Sequence, residues 1–240
     1  MPSIQHDPSH LDDIPIDNSY STTAAAAVAA NNTRTPPPPY QDGTTINGGE
    51  VFPPVPQIGD RAPSLGRDIV FPYDKPVVVV FLRHCGCPFA EKTFKMFTNF
   101  STHHPEIQCV AVSQSSMPET DNWIVQVGGE WQVHVMVDEQ RDLFKRWGLG
   151  ETSAWYAINP WTLWKVYKLG TEEGIWNRTG NETGSRWQRG GAFAIDAGGI
   201  VRWSKPAETA DEIVSFHDAL RALKKKQVNG RGSDGNGRLG

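Results

Sequence analysis

The chain has 240 residues and a formal net charge of −4, so electrostatics give no reason to expect nucleic-acid binding. It has three cysteines, and its N-terminus lacks the basic start and apolar core of a secretory signal, which predicts a reducing, cytoplasmic location. No apolar stretch reaches the roughly 20 residues that span a bilayer, so we expect no membrane association.

Composition divides the chain into three parts. Residues 1–50 are rich in Ala, Asn, Thr, Pro and Gly, and they include the run Pro36–Pro39. We predict that this segment is disordered, because it has too little apolar surface to offset the entropy of ordering it. Residues 229–240 are Gly-rich and are predicted to form a disordered tail. Residues 51–228 remain as one domain of ordinary size.

The first half of this domain alternates strand and helix patterns. The run "KPVVVVFLR" is typical of a strand buried on both faces, and apolar residues after Pro88 have helical spacing. "IQCVAVS" is a second buried strand. A helix follows, with Ser116 and Glu119 spaced as a capping box. "WQVHVMVDE" is predicted as a third strand and "EQRDLFKRWGLG" as a short helix that ends at glycines.

The second half begins with an insertion, residues 151–188, which is either one helix broken at Asn159–Pro160 or two short pieces. "GGAFAIDAGGIVRWSK" then predicts a hairpin that turns at 197–199, and a final helix is capped by Thr209 with Glu212. The order predicts an α/β fold with a mixed central sheet and helices on both faces.

Cys87 is the candidate nucleophile. It lies between a buried strand and a helix opened by Pro88, where backbone N–H groups and the helix dipole stabilise a thiolate. Arg83 and His84 are close enough in sequence to add positive charge. As the alternative, a free cysteine is often an ordinary small core residue, which is our interpretation of Cys109.

Cys85 is a candidate resolving thiol. A disulfide to Cys87 would close a small, strained ring that is easily reduced, and Gly86 would ease its closure. A metal site is a further alternative, but His84 and the two cysteines supply at most three nearby ligands, where a structural zinc uses four. We therefore expect neither a metal nor another cofactor.

Four segments, "QIGDRAPSL", "VVVVFLRHCGCPFAEKTF", "IQCVAVS" and "WQRGGAFAIDAGGIVRWSK", resemble the peroxiredoxin-like branch of the alkyl hydroperoxide reductase and thiol-specific antioxidant family. The resemblance covers about Gln57 to Leu223. It implies a thioredoxin-like fold and reduction of a peroxide or disulfide by a thiol. The reductant would be thioredoxin or glutathione, and assembly into homodimers is left open. The N-terminal extension looks like those of fungal members.

The chain also departs from this family. Members of the branch have a second cysteine three residues after the first, and this chain has Ala90 there. In peroxiredoxins proper the peroxide-attacking cysteine stands at that same position. The proline found before the hairpin strand in thioredoxins is also absent, with "RGGAF" in its place. The resemblance makes Arg189 a candidate for the family's thiolate-supporting arginine, and a surface arginine is the alternative.

Over half of the nine tryptophans lie in or beside the insertion: Trp155, Trp161, Trp164, Trp176 and Trp187. They predict either a satellite core that packs the insertion onto the sheet, or an aromatic pocket for a bulky apolar small molecule. The pocket would favour a second function, in which a repurposed thioredoxin fold of fungal secondary metabolism performs an isomerisation, cyclisation or transfer without redox-essential cysteines. His84, His134, Asp138, Glu139 and Lys165 are then candidate acids and bases.

A third hypothesis is a binding module without catalytic activity, which would offer the prolines at 36–39 to an aromatic groove of a partner.

Overall fold

The computed structural model describes residues 45–47, 50–151, 160–178 and 183–230. The strands are β1 (Thr45–Asn47), β2 (Glu50–Phe52), β3 (Val77–Phe81), β4 (Gln108–Ser113), β5 (Val133–Val137), β6 (Gly191–Ile195) and β7 (Val201–Pro206). The helices are α1 (Pro88–His103), α2 (Met117–Val127), α3 (Asp142–Arg146), α4 (Pro160–Glu173) and α5 (Phe216–Gly230). None of the described helices is long and apolar enough to cross a membrane.

A five-stranded sheet in the order β5-β4-β3-β6-β7 forms the centre of the domain. β3, β4 and β5 are parallel, whereas β6 and β7 run antiparallel as a closing hairpin. The predicted mixed α/β sheet is confirmed. β1 and β2 form a separate antiparallel pair at the predicted junction with the N-terminal segment. The predicted domain limits of 51 and 228 stay predictions.

The central strand β3 is buried on both faces, as its unbroken apolar run predicts. Val78 and Val80 pack into one hydrophobic cluster, which includes residues of α1, α2 and α5. Val77, Val79 and Phe81 pack into a second cluster on the opposite face, with Phe144 and Trp147. This two-sided packing holds β3 rigidly. The position of the chain that leaves its carboxyl end is therefore fixed as well.

Two predicted helix caps are wrong. The Ser116 side chain makes no capping hydrogen bond, and the Glu119 carboxylate accepts hydrogen bonds from Thr183 instead of closing a capping box. The last helix begins at Phe216, beyond the predicted cap at Thr209. The Glu212 carboxylate pairs with Lys205 and accepts a hydrogen bond from the backbone N–H of Glu208.

α4 is the helix described within the insertion, and it begins at Pro160. The residues before it, 152–159, lie outside the described residues. α4 ends at Gly174, whose φ of +69° is a left-handed conformation that favours glycine. The chain continues as a segment without regular secondary structure, Gly174–Arg178, here called the strap.

Candidate functional site

The site is built on the carboxyl ends of two neighbouring parallel strands. After β3, residues 82–87 form the turn that carries Cys85 and Cys87. After β4, residues 114–116 lead into α2. In open α/β sheets this edge is where ligands bind, because loops from adjacent strands meet there.

Cys87 is the N-cap residue of α1, and Pro88 follows it at the start of the helix. The side chain makes no capping hydrogen bond to the first helical turn. The predicted stabilisation of the thiolate by those N–H donors is therefore absent from this geometry. What remains of the helix effect is the position of the sulfur at the positive end of a 16-residue helix.

Arg83 contacts the Cys87 sulfur directly. Its Nη1 donates a hydrogen bond to Cys87 Sγ at 3.1 Å, and its Nη2 donates to the carbonyl oxygen of Arg186 at 2.7 Å. The Arg186 carbonyl thus holds the guanidinium in a fixed orientation against the sulfur. The guanidinium therefore places a fixed cation in hydrogen-bond contact with the Cys87 sulfur.

His84 does not supply the positive charge that we predicted. Burial, reinforced by the neighbouring cations Arg83 and Arg186, lowers the pKa of His84 from 6.5 to about 4. The imidazole is therefore neutral at cell pH, and Arg83 remains as the cation in contact with the sulfur.

Cys85 occupies a different environment from Cys87. Its thiol lies 3.7 Å from the hydroxyl of Ser113 and 3.9 Å from that of Thr120, within the cluster between the sheet and α1. Burial raises the pKa of Cys85, although these hydroxyls lower it in part. Cys87 belongs to a separate cluster, and all three cysteines are free thiols. The resolving role of Cys85 stays a prediction.

Cys87 is covered rather than open to solvent. Only 3% of it is exposed, because Leu169 of α4 and Ile175 of the strap pack over it together with Phe89. Ala90 belongs to the same small cluster. It also borders a cavity of about 30 Å³ whose lining includes Arg83. The position at which the family carries its second cysteine thus shares a cluster with Cys87 and a cavity with Arg83.

Arg189 is used elsewhere. Its Nε donates a hydrogen bond to the carbonyl of Ala207 at 2.7 Å, and its backbone N–H donates to Gly150. The first bond ties the chain before β6 to the chain that leaves β7, and the second ties it to the segment after α3. Arg189 makes no contact with Cys87 in this structure, so its predicted role in supporting the thiolate stays a prediction.

The predicted tryptophan pocket stays a prediction. Trp161, Trp164 and Trp176 are about half exposed or more, and Trp187 is half-buried. Of these side chains only Trp164 lines the groove of about 480 Å³ beside α4. Trp155 lies outside the described residues. The insertion packs over the site through aliphatic Leu169 and Ile175, so the satellite core forms without the tryptophans.

Several contacts at the site link residues far apart in sequence. Glu91, one turn into α1, is 2% exposed and accepts two hydrogen bonds from the guanidinium of Arg178, at 2.8 and 2.9 Å. Lys92, the next residue, pairs with Glu173 at the end of α4. No local motif marks these residues, because each partner lies more than 80 positions away.

The mixed sheet, the cysteine at the start of the helix after the central strand, and the closing hairpin with its final helix define a thioredoxin-like fold. Among solved structures, the chain is similar to a mutant of peroxiredoxin 6 of Arenicola marina, with 15% identity and a TM-score of 0.51, covering 73% of this chain and 75% of that one. The thiol peroxidase from Chromobacterium violaceum gives 16% identity and a TM-score of 0.48, covering 75% and 95%. A yeast mitochondrial 1-Cys peroxiredoxin is 12% identical with a TM-score of 0.46, and the match covers 73% of this chain and 78% of that one.

A family model described as AhpC/TSA antioxidant enzyme matches residues 96–209. The resemblance found in the sequence is thereby confirmed over this segment: these residues are similar to the AhpC/TSA family, and the chain has a thioredoxin-like fold. A search of the curated proteins gave no match. The matched family model supports a thiol peroxidase-type function in general terms. The matched residues begin after Cys87, so the match does not include the cysteine turn.

Proposed function

We propose that the chain is a thiol-dependent peroxidase in which Cys87 is the nucleophile and Arg83 stabilises its thiolate. The observation that carries the proposal is the 3.1 Å hydrogen bond from Arg83 Nη1 to Cys87 Sγ at the start of α1. A nearby cation and a position at a helix N-terminus each make a cysteine more reactive, and Cys87 has both.

In the proposed reaction the Cys87 thiolate attacks one oxygen of a hydroperoxide. The S–O bond forms as the O–O bond breaks, so the sulfur is oxidised to a sulfenic acid, and the leaving alkoxide or hydroxide takes a proton from solvent. Arg83 is placed to stabilise the negative charge while it moves from sulfur to oxygen.

An external thiol would complete the cycle. It condenses with the sulfenic acid to give a mixed disulfide and water, and a second thiol then releases Cys87 as the thiol together with the external disulfide. We assign this role to thioredoxin or glutathione rather than to Cys85, because the Cys85 thiol lies among the hydroxyls of Ser113 and Thr120 in another cluster.

One observation favours the second candidate, a repurposed thioredoxin fold that acts on a small organic molecule without redox chemistry. Ala90 stands where the family's second cysteine would be, and the cavity beside it is lined by Arg83 and Glu212. Two of the predicted acid–base residues are already used, since Asp138 accepts three N–H bonds at the start of α3 and Lys165 pairs with Asp211. The neutral His84 is the remaining base next to the cysteine turn.

The test is consumption of hydrogen peroxide and of an organic hydroperoxide with glutathione or thioredoxin as reductant. We expect Cys87→Ser to abolish turnover and Cys85→Ser, a change of the same size two residues away, to retain most of it. Matching circular dichroism spectra for both variants would exclude unfolding as the cause. An inactive wild type, or full activity in Cys87→Ser, would contradict the proposal and favour the second candidate.

A further inference from the structure

The strap crosses directly over the cysteine turn. The backbone N–H of Arg178 donates to the carbonyl of Gly86 at 3.2 Å, which joins the end of the strap to the residue between the two cysteines. At the other end, the N–H of Ile175 reaches back to the carbonyl of Leu169 at 3.4 Å. Ile175 and Leu169 are thereby held side by side over Cys87, and each is less than 10% exposed.

Two ion pairs hold the ends of this cover, and both use consecutive residues of α1. Lys92 pairs with Glu173 where α4 ends, and Glu91 binds the Arg178 guanidinium through both carboxylate oxygens. Arg178 Nη1 also donates to Gln126 of α2 at 3.2 Å. Glu91 lies one helical turn after Cys87. The start of α1 therefore carries both the nucleophile and the carboxylate that binds the Arg178 guanidinium.

The two ion pairs differ in how strongly they hold α4 and the strap against α1. Lys92 and Glu173 are 24% and 39% exposed, so water and salt screen their attraction. The Glu91 side chain is only 2% exposed, and without Arg178 it would be left with Lys95 as its cation. Loss of one partner of a buried pair leaves a poorly compensated charge, which favours opening of the segment that buries it.

We infer that Arg178 is a positioning residue that keeps the strap and α4 closed over Cys87, and that release of its pair with Glu91 sets how often the thiol is accessible. The segment formed by α4 and the strap is thus a lid, and the Glu91–Arg178 pair is its latch. As an account of catalysis this inference rests on the proposed function, whereas the claim about thiol access is independent of it.

The experiment measures alkylation of each cysteine in the full chain by iodoacetamide, with peptide mass spectrometry to separate the three sites. We expect Arg178→Gln to label Cys87 at least about tenfold faster than wild type. Arg178→Lys, which keeps the charge but loses the two-oxygen contact, should give an intermediate rate. Arg202→Gln is the matched control, because Arg202 makes a similar pair with Asp196 in the hairpin. Its Cys87 rate should equal that of wild type.

Cys109 reports whether any acceleration comes from global unfolding, since it is 1% exposed in β4. A parallel increase at Cys109 and Cys87 in Arg178→Gln would overturn the inference, and so would an unchanged Cys87 rate in the folded variant. If Arg178→Gln does not fold, Arg178→Lys replaces it, with an expected acceleration of about two- to fivefold at Cys87 alone. An unchanged Cys87 rate there would equally overturn the inference.

Labelling and turnover separate the two proposals. A Cys87 rate that responds to Arg178 in a protein without peroxidase activity would retain the lid and reject the proposed function. Peroxidase activity that depends on Cys87, together with a Cys87 labelling rate that is the same in Arg178→Gln and wild type, would retain the proposed function and reject the lid.

Discussion

Replacement of His84 by glutamine should make the protein less sensitive to mild acid. The folded state holds the His84 imidazole neutral, because burial and the cations Arg83 and Arg186 lower its pKa to about 4 from 6.5. The unfolded chain binds a proton at that histidine below pH 6.5, and the folded chain does so only near pH 4. Stability is therefore fully present above the unfolded pKa and is lost as the pH falls towards the folded one.

The expected size follows from the two pKa values. A lowering of this extent corresponds to about 3 kcal/mol in total, of which about 2 kcal/mol disappears between pH 7 and pH 5. The assay is urea unfolding of wild type and His84→Gln at both pH values. Because the other histidines are common to the two proteins, the difference in pH dependence isolates His84. Parallel loss of stability in the two proteins would show that His84 is not held neutral, and would refute the reasoning.

Three further predictions concern the turn and its support. Arg83→Met should slow alkylation of Cys87 at neutral pH by about 10- to 100-fold, because it removes a charge-assisted hydrogen bond worth about 1.5–3 kcal/mol. Arg83→Lys should fall in between, and a wild-type rate in Arg83→Met would contradict the role of the arginine. Ala90→Cys places a thiol one helical turn from Cys87, and mild oxidation should then remove both thiols from reaction with Ellman's reagent, whereas persistence of both would show that the two positions do not meet. Gly148→Ala should lower the free energy of unfolding by about 1–3 kcal/mol, because φ is +69° there and a Cβ would lie 2.6 Å from the Pro53 carbonyl oxygen. Urea midpoints equal to wild type would contradict this.

The fold was accessible from the sequence because its signals are local. The central strand β3 is a short β-branched run, and the order of strands and helices leaves few ways to pair them. The same holds for Arg83 and Cys87, which are four residues apart across one turn. Where a local pattern competed with a distant partner, as at Glu119 and Thr183, the distant partner prevailed.

The packing of the insertion over Cys87 could not be predicted from the sequence. Composition shows that the insertion is rich in tryptophan, but it does not fix which side of α4 faces the domain. In the structure the aliphatic side chains Leu169 and Ile175 face Cys87, and Trp161 and Trp164 face solvent. The pairing of Glu91 with Arg178 joins residues 87 positions apart, and it became visible only once α1 and the strap were placed side by side.

The most direct test of the central claim is the chemical fate of Cys87 when the protein meets one equivalent of hydrogen peroxide in the presence of dimedone. Our account predicts a dimedone adduct on Cys87, formed through its sulfenic acid, with Cys85 and Cys109 unmodified and the adduct reduced in Arg83→Met. Peroxide that remains unconsumed with Cys87 unmodified, or an adduct on Cys85 instead, would contradict it.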